Sequence, residues 1–318
     1  MQRISLSPKS RDQLSHALDL ARQTVRINSE HDIHLASNLA VPLLPFDSAI
    51  HELRLMAKDD ATLVSGLPIP DDADYQQAAL VLAAVAAIAR RGSPWNWVSQ
   101  GGLFQLLEPK AGAPDNTNAT PGEFLPHADD SALGPLSPED IVLSGLKNVS
   151  GVRTGWVRGL ELFEGAPRAF EQHARSKKWL LRAPLSLGLG EVWIGPVPLV
   201  HGERNVVPRI ALATYAVRPA DPNDRLGHAV IEFLRELAMD RMQWVALEPG
   251  TLLVLPNRYG LHAREATTSA DRAAVRAYFN SDLRLHWKLA SSPGESHRFD
   301  AAKAMRSLWP SHALPPKN

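Results

Sequence analysis

The segment EFLPHADDSAL, residues 123–133, carries His127 and Asp129 two positions apart. In an extended chain residues i and i+2 point to the same face, so an imidazole nitrogen and a carboxylate oxygen there can reach one ion. A distant second histidine would complete a two-histidine, one-carboxylate set, which leaves coordination positions open for substrate chemistry. The pair alone is weak. With 12 histidines in 318 residues, about one His-x-acid pair is expected by chance at average acidic content. A second pair does occur, His201-Gly-Glu203 in LVHGERN, and its glycine and flanking prolines read as a turn between strands. The same ligand types also suit Zn(II) with a catalytic water, so a metal hydrolase competes with redox chemistry.

Further along, EPGTLLVLPNRYGLHAREATTSADRAAVRAYFNSDLR (248–284) reads as a tight turn and a buried strand, then His262 and Arg264 on one face as a strand ends. A following strand would carry Ala274, Arg276, Tyr278 and Asn280 on one face and Val275, Ala277 and Phe279 on the other. An arginine in so apolar a strand needs an anion, because an unpaired buried charge is costly. Its planar fork suits a carboxylate held by two parallel hydrogen bonds. The segment therefore offers a further metal ligand, His262, and fourteen residues on a carboxylate receptor, Arg276. A structural ion pair, with Asp282 for example, is the plainer use of that arginine.

Strands and helices must position these groups. Residues 10–25 carry Leu14, Leu18, Ala21 and Val25 at helical spacing, with Ser10 available as a cap. Residues 60–72 predict a short buried strand, and 73–91 an alanine-rich helix whose apolar run, 78–89, is too short to span a bilayer. PKAGAPDNTNATPG (109–122) is a loop that delivers the chain to His127. Strand-like runs follow at 141–149, 191–200, 209–217, 251–256 and 274–285, interrupted by helices near 166–177 and 226–240. Helices first and strands later predict an α+β domain on a β-sandwich or barrel. The tail from Ser291 is polar and proline-punctuated and is expected to wrap the surface.

Bulk composition narrows the chemistry. The 34 basic and 34 acidic residues cancel and are mixed along the chain, which gives no electrostatic footprint for nucleic acid or anionic membrane. There is no cysteine, so disulfides, thiolate metal sites and a cysteine nucleophile are excluded. The N-terminus lacks a signal-peptide pattern, and the expectation is a soluble, cytoplasmic protein.

Taken together, His127-x-Asp129, His262 and Arg276 resemble the Fe(II)/2-oxoglutarate-dependent dioxygenases. They are most similar to the clavaminate synthase-like group, which includes bacterial hydroxylases of free amino acids such as arginine and asparagine. EFLPHADDSAL resembles that group's ligand segment, and DIVLSGLKNVSGVRTG its following strand with a threonine near the cosubstrate. EPGTLLVLPNRYGLHAREA resembles its turn, strand and His-x-Arg, and RAAVRAYFNSDLR its arginine strand. The likeness covers roughly residues 40 to 285, with the strongest motifs in 122–156 and 248–285.

The resemblance implies a double-stranded β-helix (jelly-roll) core with flanking helices in one oxygenase domain spanning 1–318. Its parts would be a helical stretch of about 1–100, a core of about 101–288 and a tail of 289–318. It implies Fe(II) on His127, Asp129 and His262, with 2-oxoglutarate as cosubstrate and O2 as oxidant. Arg276 would receive the far carboxylate of 2-oxoglutarate; Thr154, in an RTG context that departs from the group's usual Thr-Thr, and Arg264 would assist. The reaction implied is hydroxylation of a small amino-acid-like molecule with release of succinate and CO2; desaturation or cyclisation is the alternative outcome. An aspartate ligand, where relatives often have glutamate, argues against a halogenase. Asp130 would face away from the ligands in an ideal strand, yet is a candidate for substrate contact. Asp221 and Asp224, in RPADPNDR, could clamp a basic substrate, in competition with a solvated turn. A non-catalytic β-sandwich binding module remains the third class.

Overall fold

Alternation along a few strands organises the molecule. In the computed structural model, residues 1–44, 48–70, 72–202, 207–267, 272–289 and 297–310 are described. In the strand Leu252–Leu255 every residue is buried, with Leu252 and Val254 in one apolar cluster and Leu253 and Leu255 in another. Asp140–Asn148 and Arg272–Asn280 divide the same way: Val142, Val275, Ala277 and Phe279 face one cluster, and Ile141, Leu143 and Tyr278 the other. A sheet covered on both faces needs strands that are apolar throughout, which is why these runs read as buried.

These strands lie in the larger sheet, ordered Gln2–Ser5, Thr62–Ser65, Leu252–Leu255, Asp140–Asn148, Arg272–Asn280, Ser93–Trp97 and Arg298–Phe299. Phe104–Leu107 also pairs with Arg272–Asn280. Its outer face carries the helices. Tyr75–Ile88, capped reciprocally by Asp74 and Gln77, is buried on nearly every side between the sheet and the helix Glu30–Ala40. Alanines suit that position because they let backbones approach closely without losing side-chain entropy. The inner face shares its cluster with Trp156, Val157, Leu261 and Ala263 of a second antiparallel sheet. That sheet is ordered Gln243–Ala246, Arg153–Arg158, Gly260–Arg264 and Phe124–His127. A third sheet, Val217–Pro219, Trp179–Arg182 and Trp193–Val197, flanks it.

Several expected boundaries shift. The first helix is Pro8–Thr24, capped by Ser7 rather than Ser10, because Pro8 can open a helix while Ser10 is buried and bonds to the Ser7 hydroxyl. The run 209–217 is not one strand: Arg209–Ile210 and Val217–Pro219 are separate. Between them Leu212 accepts from the Ala128 N–H and the Thr214 N–H donates to Pro126, so the backbone there serves the ligand segment. The strand expected to reach residue 285 ends at Asn280, and Arg284–Leu289 is helical. The tail does not stay on the surface: Phe299 adds to the edge beside Trp97, and the helix Ala301–Leu308 buries Ala304 and Met305. Residues 291–296 and 311–318 lie outside the described residues. Among the described residues, no helix is long and apolar enough to cross a membrane.

Candidate metal centre

His127 ends its strand and His262 lies directly opposite it on the neighbouring one. Direct cross-strand partners are the closest side-chain neighbours a sheet offers, and the two rings sit 4.1 Å apart. Asp129 follows just beyond the strand end. One ligand atom from each of His127, Asp129 and His262 lies within 4.8 Å of the others, and all three residues are buried. Asp129 Oδ1 is 3.1 Å from Nε2 of His127 and 3.8 Å from Nε2 of His262. His127 Nδ1 donates to the Leu125 carbonyl at 2.8 Å, which leaves the Nε2 lone pair facing inward. That Nε2 is buried and makes no hydrogen bond of acceptable angle, close as Asp129 is. An orphaned buried nitrogen beside a carboxylate and a second imidazole fits a divalent metal with nitrogen and oxygen ligands.

Charge on the three groups favours binding. Burial would raise the Asp129 carboxyl, but Arg276 and the two histidines outweigh it and hold it below the usual carboxylate range. Burial, with His127 beside it, lowers His262 to about 3, so its ring is neutral and available as a ligand. The backbone of Asp129 is clamped by Asn257, whose Oδ1 accepts the Asp129 N–H at 2.7 Å and whose Nδ2 donates to the Asp129 and Pro138 carbonyls. Asp129 Oδ2, turned from the histidines, accepts from Arg276 Nη1 at 2.8 Å and from the Tyr278 hydroxyl at 2.9 Å.

Arg276 is therefore heavily engaged: it also donates to Gln105 Oε1 and to Asn118 Oδ1. Its partner is Asp129 and not Asp282, which pairs with Arg284. Four residues earlier on the same strand, Arg272 is buried without any carboxylate partner among the described residues. Its Nη2 donates to the Thr154 hydroxyl at 3.2 Å and its Nε is unpaired. Burial and the nearby Arg264 push it down to about 10. A pocket beside His127 and His262 is lined by Thr154, Arg264, Arg272 and Arg276. Arg264 spends its guanidinium on the carbonyls of Asn118, Thr120 and Gly122, pinning the 109–122 loop.

On the other side of the ligands a cavity is lined by Gln100, Asn118, Asp130, Arg182, Tyr215 and Tyr278 among others. Asp130 lines it from a left-handed backbone (φ 53), which breaks the alternation of an extended chain at this residue. Trp97 Nε1 donates to Asp130 Oδ2 at 2.7 Å. Asp221 and Asp224 do not line this cavity. Asp224 caps the helix Arg225–Arg241 and accepts from His173 at 2.7 Å, and Asp221 accepts from Asn223 N–H in an exposed turn. His201 is exposed on a two-residue strand, and Glu203 lies outside the described residues.

Sequence reasoning missed Asn257, Arg272, Tyr215 and the use of Tyr278. Arg272 shares the alternation that placed Tyr278 beside Arg276, so carrying that pattern two residues further toward the start of the strand would have found it. Nothing local marks Tyr215, which sits in an irregular stretch.

No protein-family profile matches the sequence, and no curated protein matches it in sequence. Solved structures do match in shape. An asparagine oxygenase in complex with Fe(II), 3-hydroxyasparagine and succinate superposes with a TM-score of 0.80 at 18% identity, over 94% of this chain and 99% of that one. The non-haem iron oxygenase OrfP with Fe, succinate and dihydroxy-L-Arg gives 0.77 at 16% identity, over 94% and 100%. OrfP with Fe and alpha-ketoglutaric acid gives 0.76 at 17% identity, over 94% and 99%. The chain has the mixed α/β, multi-sheet fold of these amino-acid-modifying iron oxygenases.

Proposed function

We propose that this protein is an Fe(II)/2-oxoglutarate-dependent oxygenase that hydroxylates a free amino acid or an amino-acid-derived small molecule. The two facing sheets are then the double-stranded β-helix core of a single oxygenase domain. One observation carries the reading: buried His127, Asp129 and His262 converge beside a pocket that holds Arg272, an arginine with no carboxylate partner among the described residues. A zinc hydrolase would use the ligands but would leave that arginine without a purpose. The relatives in shape bind Fe, succinate and alpha-ketoglutaric acid, which supports the same cofactor set here.

His127, Asp129 and His262 would hold the metal, and Asn257 fixes the backbone that presents Asp129. Arg276 and Tyr278 hold Asp129 Oδ2, which leaves Oδ1 toward the histidines. Arg276, expected to receive the cosubstrate, is occupied with this task. Arg272, with the Thr154 hydroxyl beside it, is the free receptor for the far carboxylate of 2-oxoglutarate. Arg264 keeps the loop over the site in place through three carbonyls. Bound Fe(II) with 2-oxoglutarate and O2 supplies the oxidation, yielding succinate, CO2 and a hydroxylated carbon. The chain's own contribution is orientation, charge pairing and exclusion of water.

Anaerobic Fe(II) with 2-oxoglutarate is expected to give a weak visible charge-transfer band that His262→Ala removes. Absence of both the band and succinate release across candidate substrates would sink the oxygenase reading. Product mass separates hydroxylation, a gain of one oxygen, from desaturation or cyclisation, a loss of two hydrogens.

A further inference from the structure

The cavity beside the ligands is lined by two side chains of opposite charge, Asp130 and Arg182, that form no ion pair among the described residues. Asp130 is 3% exposed, and among the described residues no lysine, arginine or histidine forms an ion pair with it. Its hydrogen-bond donors among the described residues are neutral: Trp97 Nε1 at 2.7 Å, with the Gln100 amide beside it. A carboxylate buried without a cation costs stability, so a fold that keeps one facing a cavity has reserved it for a cation from outside. It lines the cavity from a left-handed backbone.

The same lining supplies the complement. Arg182, at the end of the strand Trp179–Arg182, lines the same cavity and ion-pairs with no carboxylate among the described residues. Its guanidinium lies 6.0 Å from the Trp193 ring, which Arg218 covers more closely, at 4.1 Å. Beside it Tyr215 stands edge-on to His127, with ring centroids 5.8 Å apart, and its hydroxyl hydrogen-bonds to no described residue. The remaining charged side chains in the lining are His127 and Asp129, the proposed ligands, and Asp115, exposed at the rim.

We propose that Asp130 and Arg182 are the two poles of the substrate site: Asp130 receives a cationic nitrogen, while Arg182 with the Tyr215 hydroxyl receives a carboxylate. The substrate is then a free zwitterion, and N-acylated, esterified or carrier-linked forms are excluded. This rests on the oxygenase reading for the chemistry, although the recognition itself involves neither iron nor O2.

The test is calorimetric titration of the full-length protein, both metal-free and loaded with Mn(II) and 2-oxoglutarate, with each common L-amino acid. The tightest binder is compared with its N-acetyl and methyl ester derivatives. Both derivatives should bind at least about tenfold more weakly, the scale expected when one charge of a buried pair is lost. Asp130→Asn, which tolerates the left-handed backbone and can still accept from Trp97, should weaken the parent amino acid about tenfold and leave the N-acetyl derivative unchanged. Arg182→Met should weaken the parent by a similar factor and spare the ester, and Arg182→Lys should restore part of the loss. The proposal is overturned if no amino acid binds, or if Arg182→Met weakens parent and ester alike or neither. Wild type that binds amino acids with this polarity yet shows no Fe(II)–2-oxoglutarate band would overturn the oxygenase reading and leave the zwitterion site standing.

Discussion

The two sides of the metal ligands are built differently. On one side, Thr154, Arg264, Arg272 and Arg276 all stand on hydrogen-bonded strands of the two main sheets. On the other, Gln100, Asn118, Asp130 and Tyr215 come from short turns and irregular backbone, and Arg182 from the last residue of a strand in a side sheet. A group that must meet the same small diacid in every turnover belongs on rigid backbone. A group that selects one substrate among many is more easily varied on connecting segments. His127, Asp129 and His262 are the seam between these two sides.

Removing the seam should have the largest effect. Asp129→Ala deletes a ligand and also strips Arg276 of its carboxylate in a buried setting. Both the iron band and succinate release should disappear, and unfolding should become easier by about 3–5 kcal/mol, the usual result of breaking a buried ion pair from one side. Chemical denaturation beside an anaerobic iron titration measures the two separately. Retention of the band would mean that the two sides do not share this residue as a ligand.

Next in size is the contrast between Arg272 and Arg276, four residues apart on one strand. Arg272→Met should raise the 2-oxoglutarate requirement by roughly thirtyfold or more, the equivalent of about 2 kcal/mol for a lost charged hydrogen-bond partner. Its iron affinity should change little. Arg276→Met should act first on iron affinity, through the freed Oδ2 of Asp129. The reverse pattern would return Arg276 to the cosubstrate role that the family resemblance implies.

The same division decides how much could be read from the chain. Buried strands betray themselves through alternation, so the split of Ala274–Asn280 into two faces matches the structure, and so does the buried run at 251–256. His127, Asp129 and His262 converge, as the resemblance rather than the spacing of the His-x-Asp pair alone implied. Asp130 was expected to point away because an ideal strand continues past Asp129; the strand already ends at His127, and the left-handed backbone of Asp130 breaks the alternation on which the expectation rested. Likewise the run RIALATYAV has strand composition, yet its carbonyls and amides are taken by Pro126 and Ala128, which no local pattern records. Arg182 and Tyr215 meet the ligands only through that long-range packing.

Acid should loosen the irregular side first. His286 is buried against Trp95 and Phe299, with ring centroids 4.4 and 5.2 Å away, and lies near Trp97, the donor to Asp130. Burial lowers it to about 4, against the opposing pull of the Leu136 carbonyl. The unfolded chain takes up this proton near pH 6.5 and the folded one only near 4. Its contribution is therefore complete above 6.5 and is lost as the pH falls from there to about 4. Each tenfold difference in proton affinity between the two states is worth about 1.4 kcal/mol, so the loss reaches up to roughly 3 kcal/mol. Melting temperature should be flat above neutrality and fall through this window, and His286→Gln should flatten the fall. An unchanged profile in that variant would assign the acid sensitivity to other buried histidines.

The smallest effects are expected at Asp224 and Asp221, for which the sequence offered a clamp for a basic substrate in competition with a solvated turn. The Asp224 carboxylate accepts from the Gly227 N–H at 2.9 Å at the start of the helix Arg225–Arg241 and from His173 at 2.7 Å. Replacing a capping aspartate by alanine typically costs about 1 kcal/mol, and the unpaired His173 adds to that. Asp224→Ala should thus lower the denaturation midpoint slightly and leave amino-acid binding and 2-oxoglutarate requirement unchanged. Asp221→Ala, which loses one turn contact to Asn223 N–H, should do less still. If Asp224→Ala instead kept its stability and lost affinity for a basic amino acid, the carboxylate would have to leave its helix to meet substrate. The cation would then be bound from this loop rather than at Asp130, and the irregular side of the site would extend to residues that line no part of the present cavity.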